Sequence, residues 1–147
     1  MSNTAIPKIS TIQEEIIAEF ETLKGDREGM LTYLMELGEK LPPMEEHYKT
    51  EHNIVKGCLS KVWLTYERQG DRLFFQADSN TAITKGLISL LLRVLSGQKI
   101  DDIVNANLQC VKRIGLMQLI GSQRAGGFAN MVKAIKLIAI GQQGTQK

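Results

Sequence analysis

Cys58 is the residue with the clearest chemical potential in this chain. It sits in residues 54–64, IVKGCLSKVWL, directly behind a glycine and where a polar stretch gives way to strand-forming residues. A thiolate, not a thiol, is the nucleophile, and an unperturbed thiol ionises near pH ~8.5. Lys56 and Lys61 flank Cys58 and are expected to favour its thiolate. Gly57 permits backbone angles other residues avoid, so the chain can turn sharply at the thiol. The residues alone leave a second reading open, that of a cysteine filling a gap at a strand end.

Other chemistries run short of residues. A structural zinc site wants four Cys or His ligands at short spacing. Only Cys58, Cys110, His47 and His52 exist, with no CxxC or HxxxH pair. An iron–sulfur scaffold has the same shortage. His52 precedes Cys58 by six residues, and without a motif it reads as a solvated loop residue rather than a base. No GxxxxGK phosphate loop occurs. Cys110, in NLQCVKRIG, lies between apolar neighbours without a glycine and reads as packing. No cofactor and no metal are expected.

The elements that must position Cys58 follow from periodicity. The chain has 147 residues, enough for one domain with a real core, and residues 1–147 are read as a single domain. Ile9, Ile12, Ile16, Ile17, Phe20 and Leu23 form a helical stripe, with Thr11 and Glu14 at capping-box spacing. Asp26 is placed to cap a second helix carrying Met30, Leu31, Leu34 and Leu37, which Pro42-Pro43 must stop. Residues 43–53 read as a long polar loop. The period then changes from helical to alternating: residues near 62–68 and 72–78 are expected to pair as a hairpin turning at Gly70, with Ile54-Val55 as a candidate short third strand. An apolar helix is expected near 80–95, with Asp78 and Ser79 as its caps, and is the best candidate for the most buried helix. A short helix at 100–105 and a last helix at about 122–140 follow. In the last helix Phe128, Met131, Val132, Ile135 and Ile138 face inward and Lys133 and Lys136 face water. The tail 141–147 reads as disordered. This order predicts an α+β fold, a small antiparallel sheet with helices packed on it.

Composition narrows the partners. A net charge of +2 gives no case for nucleic acid or an anionic membrane. The longest apolar run, from Leu87 to Leu95, is interrupted by Ser89 and Arg93 and is too short to span a bilayer. The segment MSNTAIPKIS has no apolar signal core. A cytoplasmic location and two free thiols are therefore expected.

Four ordered motifs together carry a resemblance. NIVKGCLSKVWL resembles the signature of the SufE family of sulfur-acceptor proteins, matching at Asn53, Gly57, Cys58, Ser60, Val62 and Trp63. ELGEKLP at 36–42 resembles the family's LG-x-x-LP. ADSNTAITKGLISLL at 77–91 resembles its D-S-(D/N)-A-x-I-x-KG-L, through Asp78, Ser79, Ile83, Lys85, Gly86 and Leu87. QRAGGFANMVKAI resembles S-R-x-x-G-(L/F)-x-x-M, through Arg124, Gly127, Phe128 and Met131, with Gln123 where a small polar residue is more usual. The resemblance covers roughly residues 9–140.

It implies a sulfur carrier. A pyridoxal-phosphate cysteine desulfurase of the SufS type would hold sulfur as a persulfide, and Cys58 would take it. The desulfurase would thereby turn over faster, and the sulfur would pass to an iron–sulfur cluster scaffold. The resemblance also implies a fold shared with IscU-type scaffolds. It implies a thiol able to tuck into an apolar cavity, with Leu59, Trp63 and the 80–95 helix as candidate walls. Arg124 becomes the candidate cation near the loop; its plainer role is a surface salt bridge. Two other classes compete, a cluster or metal scaffold and a thiol redox protein that would need Cys110 beside Cys58. Monomer and homodimer are both open.

Overall fold

A computed structural model describes residues 5–144. Among them are seven α-helices and one two-stranded antiparallel sheet. The α+β architecture expected from the period changes is the one observed.

The first helix, α1 (Ile9–Glu21), buries Ile12, Ile16, Ile17 and Phe20. It begins two residues before the capping-box position. Lys8 is extended, and its carbonyl accepts from the amide of Ile12 at 3.0 Å, so Thr11 lies inside the first turn. Half-buried Ile9 packs on the core and draws that turn into the helix. In α2 (Arg27–Glu39) the predicted cap is present: Asp26 Oδ1 accepts from the Gly29 amide at 2.9 Å. The helix stops three residues before Pro42. Residues 43–53 form a loop containing 3-10 turns at Glu46–Tyr48 and Glu51–Asn53.

Strands β1 (Val62–Gln69) and β2 (Arg72–Ser79) pair as the expected hairpin, with Val62 opposite Ser79 and Gln69 opposite Arg72. Gly70 makes the turn with φ +64°. Ile54 adds a single bridge to Trp63, and the Val55 amide donates to the Val62 carbonyl at 2.8 Å. Val62, Leu64, Leu73, Phe75 and Ala77 point into the core, and Tyr66 is exposed.

Helix α3 (Ala82–Leu95) buries eight of its fourteen residues, consistent with its wide apolar stripe. It packs closely on α2 because two glycines meet. A Cβ on Gly38 would lie 2.6 Å from the Gly86 amide nitrogen, and one on Gly86 would lie 2.2 Å from the Leu34 carbonyl oxygen. The LG and KG positions are thus packing contacts between helices. Glu19 ties three helices together. Its carboxylate accepts from Arg93 at 2.9 and 2.5 Å and from the Tyr33 hydroxyl at 2.7 Å. The Arg93 hydrogen bond holds the Glu19 carboxyl below the ordinary range despite partial burial.

Helices α4 (Ile100–Val104), α5 (Gln109–Ile114) and α6 (Leu116–Ile120) follow, and then α7 (Ser122–Gln142). The short α5 and α6 had no counterpart in the sequence pattern. Phe128, Met131 and Ile135 of α7 are buried as expected, and Val132 and Ile138 are half-buried. Lys136 is a correction: it is half-buried and donates to the Ala106 carbonyl, fixing α7 to the segment before α5. The start of the tail is a second correction. Gly141 and Gln142 belong to α7, and Gln142 accepts from Arg68 through its carbonyl at 3.0 Å and its side chain at 3.1 Å. Residues 145–147 of that expectation lie outside the described residues. Among the described residues, no helix is long and apolar enough to cross a membrane.

Candidate functional site

Cys58 lies on the short bend between the loop and β1. Gly57 adopts φ +84°, the left-handed conformation that the Gly-Cys pair suggested. The side chain turns inward rather than standing at an exposed tip. It is half-buried in a cavity of about 20 Å³ whose walls include Thr84 and Leu87 of α3 and Arg124, Gly127, Phe128 and Met131 of α7. That is room for about one water-sized guest. Cys58 Sγ lies 3.5 Å from the Gly127 carbonyl oxygen, to which the thiol donates. A Cβ on Gly127 would sit 3.5–3.6 Å from Cys58 atoms, an ordinary contact distance.

The electrostatics differ from the sequence expectation. Burial pushes the Cys58 thiol up, and neither Lys56 nor Lys61 offsets it. Both lysines are exposed, where water screens their charge. The resting group is a protonated thiol.

Of the expected walls, α3 contributes and Leu59 borders the cavity, though Leu59 is 76% exposed. Trp63 is not a wall. It sits in β1, with Lys49 Nζ 5.4 Å from its ring centroid. Arg124 does share the cavity with Cys58. It is exposed, and its Nη1 donates to the Ile120 carbonyl at the end of α6 at 3.2 Å. No surface salt bridge engages it among the described residues.

Asp78 is not a helix cap. It is the buried penultimate residue of β2, accepting from the Met44 amide at 3.3 Å and from the Ser79 amide at 2.8 Å. Lys49 and Lys85 approach its carboxylate at 3.5 and 3.9 Å. It therefore anchors the loop before Cys58 to the sheet and α3. Ser79 is also buried in β2, and Thr81 is the residue that precedes α3. The Thr81 hydroxyl meets that of Ser60 at 2.9 Å, and Thr84 donates to Ser60 at 3.4 Å. Ser60 thus pins the chain after Cys58 to the start of α3. Asn53 folds the loop by donating to the Tyr48 carbonyl at 2.7 Å.

Two residues near Cys58 were not among those the sequence singled out. Thr84 is buried against the cavity, and Asn130 Nδ2 donates to the Gly57 carbonyl at 2.9 Å. The clue to Asn130 is its place three residues after Gly127, on the same helical face. His52 is exposed. Cys110 is buried, its thiol also pushed up chiefly by burial, and its amide donates to Gln13 Oε1 at 2.8 Å. The two cysteines are both free. No cluster of three His, Cys, Asp or Glu side chains suited to a metal occurs among the described residues.

Comparison with known proteins places this geometry. The family model described as SufE, Fe-S metabolism associated domain, matches residues 14–139. An uncharacterised SufE-like protein of Rhizobium meliloti is 36% identical over 137 residues, covering 90% of this chain and 97% of the relative. An uncharacterised SufE-like protein of Synechocystis is 34% identical over 143 residues, covering 97% of this chain and 87% of the relative. SufE-like protein 1, chloroplastic/mitochondrial, of Arabidopsis thaliana is 31% identical over 128 residues, covering 86% of this chain and 34% of that longer protein. Among solved structures, the solution structure of a hypothetical protein from Thermus thermophilus matches with a TM-score of 0.74, covering 91% of this chain and 97% of that one. At 15% identity it speaks to the fold alone.

Proposed function

This chain belongs to the SufE family, associated with Fe–S metabolism, and from that premise we propose that it is a sulfur acceptor. Cys58 takes persulfide sulfur from a pyridoxal-phosphate cysteine desulfurase of the SufS type, speeds that enzyme's turnover and passes the sulfur to an iron–sulfur cluster scaffold. The observation that carries this reading is the setting of Cys58. It is a half-buried thiol on a glycine bend, in a cavity of water-molecule scale whose lining includes Arg124.

Each feature has a use in persulfide transfer. Burial and the Gly127 carbonyl keep the resting sulfur protonated, so stray oxidants meet a poor nucleophile. When a docked partner draws the bend outward, the thiol regains water, its pKa falls toward the ordinary value, and a thiolate fraction forms as the proton passes to solvent. The thiolate then attacks the outer sulfur of the donor persulfide. A Cys58 S–S bond forms, the donor's S–S bond breaks, and the donor cysteine departs as a thiolate, as in thiol–disulfide exchange. Arg124 is suited to stabilise the negative charge shared between the reacting sulfurs. Back in the cavity, the new outer sulfur is sheltered from water and reductants. The reaction belongs in a reducing compartment, where both thiols stay free.

The test is to mix the protein with a candidate desulfurase and cysteine, then read intact and peptide masses. A gain of one sulfur atom on the Cys58 peptide is expected. A desulfurase that is stimulated without any such gain, or no stimulation by any desulfurase of this type, overturns the reading.

A further inference from the structure

We propose that Asn130 is a positioning residue, a latch that holds the Cys58 bend against α7 and sets how often the thiol is exposed. Helix α7 grips the bend at two points one turn apart. The Gly127 carbonyl takes the thiol at 3.5 Å, and Asn130 Nδ2 donates to the Gly57 carbonyl at 2.9 Å. A thiol is a weak donor, so the amide contact is the stronger of the two. The chain on either side is secured separately. Val55 and Val62 are joined through the backbone, and Ser60 and Lys61 are bound to Thr81 and Asn80. Between those anchors, Lys56 and Leu59 are exposed, and the Gly57 carbonyl is the backbone group that α7 holds.

The fit is close. A Cβ on Gly57 would lie 2.3 Å from Asn130 Nδ2. Gly57 therefore serves both the left-handed turn and the approach of the amide. With the amide contact broken, rotation about Gly57 can carry the thiol out of the cavity without disturbing β1 or α3, because Ser60 and Val62 remain held. A single hydrogen bond at the surface is the right scale for this duty: strong enough to bias the bend inward, and weak enough for a docking partner to replace.

The latch bears on the sulfur-acceptor reading for its purpose, but its test needs no desulfurase. The purified full chain is alkylated with iodoacetamide over a range of pH, and the rates at Cys58 and Cys110 are followed by peptide mass spectrometry. In Asn130→Ala the Cys58 rate should rise about fivefold, the size expected for net loss of one neutral hydrogen bond. Its pH midpoint should move down toward that of an ordinary exposed thiol. The Cys110 rate should not change, which separates local release from general loosening. An unchanged Cys58 rate, or an equal rise at both cysteines, overturns the latch. A failed sulfur-uptake experiment with the native protein would instead sink the acceptor reading and leave the alkylation result standing.

Discussion

The carbonyl oxygen of Gly127, in the second turn of α7, accepts the thiol of Cys58 at 3.5 Å. A carbonyl can receive a proton-bearing sulfur but repels a thiolate, so the contact favours the neutral form. Burial acts in the same direction.

Cys58 alkylation should therefore titrate above the ordinary thiol value of ~8.5. The native state keeps its proton where the unfolded chain has already lost it. The stability this contributes is fully present below the unfolded thiol's pKa and is lost as pH rises through the higher native one. Cys110, pushed up as well, adds to the same alkaline loss. Rate–pH profiles at each cysteine and urea melts between about pH 7 and 10 check both statements. A Cys58 midpoint at or below ~8.5 would mean that Lys56 and Lys61 govern the thiol after all.

The two cysteines should separate by substitution. Cys58→Ser should fold with a stability change within about 1 kcal/mol, since a serine hydroxyl can still donate to Gly127. It should gain no sulfur and fail to stimulate the desulfurase. Cys110→Ser should keep uptake but lose about 1–2 kcal/mol, because its hydroxyl would be buried among Leu90, Val94 and Phe128. Sulfur on the Cys58→Ser chain, or uptake abolished by Cys110→Ser in a folded protein, contradicts the assignment.

Arg124→Ala should slow sulfur acceptance on the order of tenfold while leaving the urea midpoint nearly unchanged. The side chain is exposed, and its hydrogen bond runs to the Ile120 carbonyl of the adjoining short helix. Single-turnover uptake with the variant is the measurement. Unaltered stimulation would remove Arg124 from the mechanism.

Glycines of the shared motifs should respond oppositely to alanine. Gly86→Ala drives a methyl to 2.2 Å from the Leu34 carbonyl oxygen and should cost about 2–3 kcal/mol. Gly127→Ala meets only ordinary contacts at 3.5–3.6 Å, and alanine favours a helix, so stability should hold or rise slightly. Urea midpoints compare them directly; equal midpoints for wild type and Gly86→Ala would refute the packing role.

What the sequence disclosed followed from how local each determinant was. The hairpin was legible because Val62, Leu64, Leu73, Phe75 and Ala77 alternate about Gly70, a pattern confined to sixteen residues of strand. Asp26 was legible because a cap and its amide are three residues apart. Asp78 misled for the same reason: before a helical run an aspartate resembles a cap, whereas its partners Met44 and Lys49 come from a loop about thirty residues earlier. Helices α5 and α6 are six and five residues long, and the left-handed Gly115 between them breaks any continuous helical period. At the site, Cys58 and Arg124 were found through motifs and do share one cavity. The inward turn of the thiol was implied by the resemblance alone and not by the residues around Cys58, because the helix that shelters it lies far along the chain. Two neighbouring lysines therefore suggested a thiolate where burial keeps a thiol.

That distance also has a meaning in time. Cys58 and the Gly127 carbonyl are 69 positions apart. At a synthesis rate of about 5–20 residues per second, the cysteine is made roughly 3–14 s before its shelter exists. Every newborn copy thus passes through an interval in which the Cys58 sulfur is an ordinary naked thiol, open to whatever oxidant or electrophile surrounds the ribosome. Oxidative damage at Cys58 should accordingly fall more heavily on molecules caught young than on copies that have finished folding.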